Sequence, residues 1–243
     1  MTVLPRAVVF DFDGTIIDTE SPEYRSWSEV YRRFGLELPL DRWAQGVGAA
    51  WGIFDPLDDL ERRLGTALDR EAVAAWRAQR DRQLILAEGV RPGILDLLAE
   101  MAQHGIPAAI ASSSPRSWVD EHLARLGLER YFPVICTIDD GVPAKPAPDL
   151  YQLACRRLGV EPSLALAIED SPNGAMAARS AGLPCVVVPN QVTALLSFPE
   201  HQVVLETLQG VSLARLWRAG ARGGSPARGG FPRGPGPGAP PGR

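Results

Sequence analysis

Two aspartates separated by one residue follow a short apolar run near the start of the chain. The run extends from Ala7 to Phe10, and Asp11, Asp13 and Gly14 come after it. Apolar runs of this length are typical of buried strands in parallel sheets, where ligands bind at the carboxyl ends of the strands. The pattern therefore predicts that both carboxylates lie at the binding edge of a sheet.

Polar residues also follow three later apolar runs. Because the carboxyl ends of parallel strands meet at one edge of a sheet, we expect these residues to converge with the two aspartates. They are Ser112 after the run from Pro107 to Ala111, Lys145 in the loop after the run from Val134 to Thr137, and Glu169 and Asp170 after the run from Leu164 to Ile168.

Four carboxylates would share this pocket, those of Asp11, Asp13, Glu169 and Asp170. Such a group repels itself unless a cation balances the charge. Oxygen ligands suit Mg²⁺, which keeps several waters and is usually held by one or two carboxylates together with phosphate oxygens of the substrate. The acidic residues therefore predict a Mg²⁺ site.

A carboxylate can attack a phosphate ester and divide one difficult displacement into two easier ones. Asp11 is the predicted nucleophile. Asp13 is placed to protonate the leaving oxygen and then to deprotonate the attacking water. Gly14 lets the backbone turn sharply beside the phosphate, where N–H groups can stabilise transition-state charge. These residues predict a phosphatase with an aspartyl-phosphate intermediate.

Two further residues are predicted to bind the phosphoryl group. The hydroxyl of Ser112 can donate to a phosphoryl oxygen, and Lys145 brings a compact positive charge. Lys145 is the single lysine among 25 basic residues. A chain that otherwise uses arginine is therefore predicted to need an ammonium group at this position.

Each acidic motif taken alone also has an ordinary structural interpretation. Asp-x-Asp is frequent in turns, and the segment from Glu169 to Gly174 is typical of a strand end followed by a helix N-cap. The motifs occur in chain order, each after a predicted strand. This combination favours a catalytic site over the ordinary interpretation.

The elements that must position these residues alternate between strand and helix, with a fifth strand predicted from Cys185 to Val188. Such alternation predicts an α/β fold with a doubly wound parallel sheet of the Rossmann type. The predicted helices of this part run from Pro92 to His104, Trp118 to Leu126, Pro148 to Leu158 and Asn173 to Ala181.

A helical insertion is predicted after the first strand, because the segment from Thr19 to Ala87 has no strand signal. Its predicted helices run from Pro22 to Phe34, Pro56 to Leu64 and Asp69 to Leu86. We therefore predict a catalytic core of residues 1–18 and 87–217 and a helical cap of residues 19–86. Residues 218–243 are rich in Gly, Pro, Ala and Arg, a composition that predicts disorder.

The overall composition is typical of a soluble globular protein, with 45% apolar and 22% charged residues. A net charge of −4 argues against nucleic-acid binding, and no apolar stretch is long enough to span a bilayer. The three cysteines lack the spacing of a zinc or redox site and are predicted to be buried. We expect a cytoplasmic monomer or dimer without a nucleic-acid or membrane partner, acting on a small phosphorylated substrate.

With these motifs the chain resembles the haloacid dehalogenase superfamily, in particular its helical-cap branch, which includes β-phosphoglucomutase and many small-molecule phosphatases. The resemblance extends roughly from Val8 to Pro189. The dehalogenases proper lack the second aspartate and the metal. Asp13 therefore argues against dehalogenation here.

The resemblance also implies a role for each motif residue. Asp11 would be the nucleophile, and Asp13 would be the acid/base whose backbone carbonyl also binds Mg²⁺. Asp170 would be a direct metal ligand. The remaining residues implied are Glu169, as a ligand or a partner of one, and Ser112 and Lys145, which would hold the transferring phosphoryl group.

The cap distinguishes between relatives. Phosphonatases form a Schiff base with a cap lysine, and this cap contains none. β-Phosphoglucomutase carries a histidine and an arginine where this chain has Glu23 and Ala49. Hydrolysis is therefore the preferred reaction. A sugar phosphomutase and a non-catalytic phosphometabolite-binding protein are the alternatives.

Other cap residues allow two interpretations each. Hinge or cap-loop residues could be Thr19, Gly46, Gly48 and Trp51, although ordinary packing and turns explain them equally well. Trp43, Trp51 and Phe54 could line a substrate pocket, but aromatic residues in a small helical domain more often form its core.

Overall fold

The computed structural model describes residues 3–44, 46, 54–199 and 202–223. Within them, six parallel strands form one sheet in the order β3-β2-β1-β4-β5-β6. This arrangement confirms the predicted doubly wound fold. The strands are β1 (Ala7–Phe10), β2 (Ala108–Ala111), β3 (Val134–Cys136), β4 (Ala165–Glu169), β5 (Cys185–Val187) and β6 (Val203–Val204).

Strand β1 lies in the middle of the sheet, between β2 and β4. Val8 is in register with Ala108 on one side and with Leu166 on the other. All residues of these three strands are buried, as expected for strands covered by helices on both faces. The carboxyl end of β1, where Asp11 follows, is therefore central at the binding edge.

Helices cover both faces of the sheet. Alternate residues of β1 point to opposite faces, so Val8 and Phe10 belong to one apolar cluster and Ala7 and Val9 to another. The helices of this part are α5 (Ile94–Gln103), α6 (Arg116–Leu126), α7 (Asp149–Leu158), α8 (Pro172–Ser180) and α9 (Leu213–Gly223).

Among the described residues of the segment from 19 to 87, the regular elements are all helices, as predicted, and an apolar cluster forms around Trp27, Tyr31 and Leu60. The side chain of Asp55 accepts hydrogen bonds at the N-terminus of the third helix, and Gly65 ends that helix in the left-handed conformation. The helices are α1 (Glu20–Arg33), α2 (Leu40–Ala44), α3 (Pro56–Leu64) and α4 (Arg70–Ala87).

The prediction of a disordered tail beginning at residue 218 is wrong for residues 218–223, which continue helix α9. Leu213 and Leu216 are fully buried against the core, and Gly220 is buried beside Leu166. Burial of the apolar residues near the start of α9 thus stabilises the whole helix, including its C-terminal end, which contains few apolar residues. Residues 224–243 lie outside the described residues, so their predicted disorder stays a prediction.

Two smaller features agree with expectation. Cys136, Cys155 and Cys185 are free and buried. Every helix within the described residues is too short or too polar to cross a bilayer.

Candidate active site

Asp11 follows β1 and is only 7% exposed. Its backbone N–H donates to the carbonyl of Ile168 on the neighbouring strand, and its Oδ1 accepts from Lys145 Nζ at 2.5 Å. Its Oδ2 is buried and has no hydrogen-bond partner among the described residues. Burial, and next the charge of Glu169, raise the pKa of Asp11 to about 7 although Lys145 lowers it.

Lys145 forms ion pairs with two acids of the site, Asp11 and Glu169. Its Nζ also donates to Glu169 Oε1 at 2.6 Å and lies 5.0 Å from the ring centre of Tyr151. Burial lowers the pKa of Lys145, but the carboxylates of Asp11 and Glu169 raise it by more, so the net shift is upward. The group is therefore a permanent cation in the pocket.

Glu169 ends β4 and is completely buried. Its Oε1 also accepts from the hydroxyl of Tyr151 at 2.6 Å, and its Oε2 accepts from the Ser171 hydroxyl at 3.2 Å. The backbone of Asp170 donates to the same Oε2 at 3.2 Å. Both oxygens of Glu169 thus have protein donors, which is the environment of a carboxylate that orients other groups.

Asp170 is 2% exposed and lies beside Glu169. Asn190 Nδ2 donates both to Asp170 Oδ2 at 3.1 Å and to Glu20 Oε2 at 3.0 Å. Burial, followed by the charges of Glu20 and Asp11, raises the pKa of Asp170. Burial and then Asp13 raise the pKa of Glu20 to about 8.

Asp13 has a different environment from the other acids. Its Oδ2 accepts from the Ser114 hydroxyl at 2.6 Å, and its Oδ1 accepts from Trp118 Nε1 at 2.8 Å. Both donors belong to the loop after β2 and the first turn of α6. The Asp13 side chain is therefore oriented from the β2 side of the site.

Ser112 and Gly14 also lie at this edge of the sheet. Ser112 follows β2, is 1% exposed, and accepts from the backbone of Ser114 at 3.0 Å. Gly14 has a φ of 77°, and a side chain there would overlap the carboxylate of Asp170. Both features require glycine at this position.

The acidic residues meet the requirements of a divalent cation. Carboxylate oxygens of Asp11, Glu169 and Asp170 lie within 4.8 Å of one another. Burial and mutual repulsion raise the pKa of both aspartates, and Asp11 Oδ2 lacks a donor. A divalent cation would balance the negative charge of these carboxylates. The Asp13 carboxylate is not part of this cluster, and the role of its backbone carbonyl as a metal ligand stays a prediction.

The comparisons with known proteins agree with this geometry. Residues 5–182 match the haloacid dehalogenase-like hydrolases. The chain belongs to this family. It is 42% identical to YhcW, a candidate phosphatase of Bacillus subtilis (strain 168), over 87% of this chain and 96% of YhcW. It is 33% identical to YqaB, named as the fructose-1-phosphate phosphatase of Escherichia coli (strain K12), over 74% of this chain and 95% of YqaB.

The fold is also that of solved haloacid dehalogenase-like structures. A mutant form of CbbY from Rhodobacter sphaeroides, in complex with xylulose-(1,5)bisphosphate, superposes with a TM-score of 0.65 at 29% identity. The match covers 88% of this chain and 99% of CbbY.

Several residues of this haloacid dehalogenase-like hydrolase were not predicted as site residues. Tyr151 donates to Glu169, and Asn190 donates to both Asp170 and Glu20. Ser114 and Trp118 donate to Asp13. Glu20 and Ser114 are close in sequence to predicted residues, so proximity was an available signal. The others come from distant segments or a helix, and only the fold brings them to the site.

Arg91 supports the loops that carry these residues. It precedes α5 and donates to the carbonyls of Gly14, of Val188 at 2.8 Å and of Pro189 at 2.9 Å. Its backbone N–H donates to Ile16 at 2.9 Å. The loop after β1 and the loop after β5 are thus connected by one guanidinium group.

The cap residues named in the sequence analysis have different environments in the structure. Trp43 is 7% exposed and packs edge-to-face on Phe54 at 6.5 Å between ring centres, so both belong to the cap core. Glu23 accepts from Arg77 at 3.3 Å, and burial raises its pKa, with a smaller contribution from Asp13. Three residues named in the sequence analysis lie outside the described residues, namely Gly48, Ala49 and Trp51.

Proposed function

We propose that this hydrolase is a Mg²⁺-dependent phosphatase that acts on a small phosphorylated sugar through an aspartyl-phosphate intermediate on Asp11. The observation that carries the proposal is the state of the Asp11 carboxylate. One oxygen is fixed by Lys145, and the other is buried and without a donor beside Glu169 and Asp170. The Asp11 carboxylate can thus serve both as the nucleophile and as a ligand of the cation.

In the first step an oxygen of Asp11 attacks phosphorus. The new O–P bond forms as the ester P–O bond breaks, and Asp13 gives its proton to the leaving oxygen. Lys145 and Ser112 are placed to hold the phosphoryl oxygens. When bound, Mg²⁺ would be held by Asp11, Asp170 and the Asp13 carbonyl, with Glu169 beside it, and would offset the repulsion between phosphate and carboxylate.

In the second step Asp13, now ionised, takes a proton from water. The resulting hydroxide oxygen attacks phosphorus, the bond to Asp11 breaks, and inorganic phosphate leaves. Asp13 recovers the proton that it needs for the next turnover. One carboxyl group therefore serves as acid and then as base.

The sugar phosphate class is supported by the relatives. YqaB is named for fructose 1-phosphate, and CbbY was solved with a sugar bisphosphate. The mutase alternative is less favoured, because the cap has the carboxylate of Glu23 where the resemblance expects a histidine. The resemblance also expects an arginine for the substrate's second phosphate, and this chain has Ala49 at that position.

The test is phosphate release from fructose 1-phosphate, other sugar phosphates and p-nitrophenyl phosphate, with Mg²⁺ or with EDTA. We expect Mg²⁺-dependent release that falls by about 10³-fold or more in Asp11→Asn, since removal of a nucleophile has effects of that size. Asp96→Asn is the matched control, because Asp96 is exposed on α5. Conversion of a sugar phosphate into its isomer would instead support the mutase, and binding without turnover would support a binding protein.

A further inference from the structure

The Asp13 carboxylate is held by two donors from one short segment. Ser114 lies in the loop after β2, and Trp118 lies in the first turn of α6. The Ser114 hydroxyl donates to Oδ2 at 2.6 Å, and the Trp118 indole N–H donates to Oδ1 at 2.8 Å. Each oxygen of Asp13 therefore has its own donor, which fixes the plane of the carboxyl group.

Trp118 is itself fixed by its surroundings. It packs against the apolar cluster that contains Val8 and Phe10. Its ring contacts the ring of His122 edge-to-face, with 4.3 Å between ring centres and an angle of 73° between the ring planes. His122 is 1% exposed, and burial, followed by the charge of Arg125, lowers its pKa. A neutral, buried imidazole supports the indole on one side, so the indole N–H has a defined direction.

The two donors to Asp13 differ in the hydrogen bonds that they can form. An indole N–H can only donate, whereas a hydroxyl can donate or accept. Oδ1 beside Trp118 therefore accepts in both protonation states of Asp13. Oδ2 can carry a proton, because the Ser114 hydroxyl can turn and accept from it.

We propose that Trp118 is a positioning residue for the acid/base Asp13, and that it holds Oδ1 as an acceptor so that the transferable proton resides on Oδ2 beside Ser114. The inference rests on the proposed phosphatase function. The proton moves from Oδ2 to the leaving ester oxygen as the P–O bond breaks. It is replaced on Asp13 by a proton from the attacking water, so the cycle balances.

The leaving group provides the test, since p-nitrophenolate leaves without protonation and a sugar alkoxide does not. The value of kcat/KM reports steps up to phosphoenzyme formation, which is where the acid acts. In Trp118→Phe we expect kcat/KM to fall by roughly tenfold or more for fructose 1-phosphate and by less than about threefold for p-nitrophenyl phosphate. Trp76→Phe, which removes an indole N–H in the cap, should leave both values unchanged.

An equal fall for both substrates, or no change for either, in an active wild-type background would overturn this inference and leave the phosphatase proposal intact. A wild-type enzyme that turns over neither substrate would overturn both. If Trp118→Phe does not fold, as judged by near-ultraviolet circular dichroism, Ser114→Ala and Ser114→Thr test the other part of the inference, that the transferable proton resides on Oδ2. Alanine should reproduce the selective loss, and threonine, which keeps the hydroxyl, should restore it; identical behaviour of the two would contradict the role given to Oδ2.

Discussion

The Asp11 carboxyl group is buried beside Glu169 and Asp170, and its pKa of about 7 lies well above the 3.8 of an exposed aspartate. In the metal-free protein the folded state therefore binds a proton more tightly than the unfolded state does. The stability that this proton provides is fully present below about pH 4 and is lost as the pH rises towards 7. The upward shifts of Asp170 and Glu20 act in the same direction.

We therefore predict that Mg²⁺ stabilises the protein more at pH 8 than at pH 5. The cation replaces the lost proton as the charge that balances Asp11. Thermal unfolding with and without Mg²⁺ at both pH values measures the effect. The difference should reach several degrees, because 1 kcal/mol corresponds to about 2–4 °C for a domain of this size.

The matched variant is Asp11→Asn, which removes the titrating group and should reduce the dependence of the Mg²⁺ effect on pH. The exposed Asp96→Asn should behave as wild type. An increase in Tm that is equal at pH 5 and pH 8 in the wild-type protein would contradict the explanation.

At this scale the sequence predicts acids and a lysine that the structure brings together, but it does not predict most of the residues that orient them. Asp11, Lys145 and Asp170 are predictable because each follows an apolar run and has a charge that the reaction needs. Tyr151 and Asn190 follow no such signal. Their contacts with the acids join positions far apart in the chain, and a side-chain hydrogen bond of this kind has no periodicity to reveal it.

At the scale of elements, the connection from α4 to α5 contains the residue that joins the two loops of the site. We predict that Arg91→Lys lowers the free energy of unfolding by about 1–3 kcal/mol, because one ammonium group cannot replace a guanidinium that donates to three carbonyls. Those carbonyls belong to Gly14, Val188 and Pro189. Urea unfolding at fixed Mg²⁺ measures the change.

Arg218→Lys is the control for this prediction. Arg218 is exposed on α9, and its Nε donates to the carbonyl of Ala214 in the same helix. Its replacement should change stability by less than about 0.5 kcal/mol. Equal effects of the two substitutions would show that the three carbonyls do not depend on the guanidinium of Arg91.

The elements themselves are largely predictable, because apolar runs and capping residues mark them. The helix predicted from Pro56 to Leu64 has these bounds in the structure, and its ends carry an aspartate cap and a glycine. Three elements were not predicted, namely the short α2 (Leu40–Ala44) and β6 (Val203–Val204) and the longer α9 (Leu213–Gly223). Five and two residues show too little of a period to be recognised, and β6 depends on pairing with β5.

At the scale of the whole molecule, the described chain contains apolar clusters on both faces of the sheet and a third in the helical insertion. The third also includes Val192, from the loop after β5, so the insertion packs on the side of the core that carries Asn190. The division into a core of residues 1–18 and 87–217 and a cap of residues 19–86 stays a prediction.

The folded core ends later in the structure than the sequence predicts, because helix α9 continues to Gly223. A chain ending at residue 217, the predicted boundary, would keep five residues of α9, too few to form a stable helix. We predict that it is less stable than a chain ending at residue 223 by about 2 kcal/mol, since Leu216 would lose part of its burial. Urea unfolding of the two chains measures the difference. Equal stability of the two truncated chains would place the boundary at residue 217 after all.

In the full chain we predict that Gly220→Leu lowers the free energy of unfolding by about 1–3 kcal/mol, because a Cβ atom at this position lies 2.9 Å from Leu166. An unchanged free energy of unfolding in Gly220→Leu would show that this end of α9 does not pack on the core.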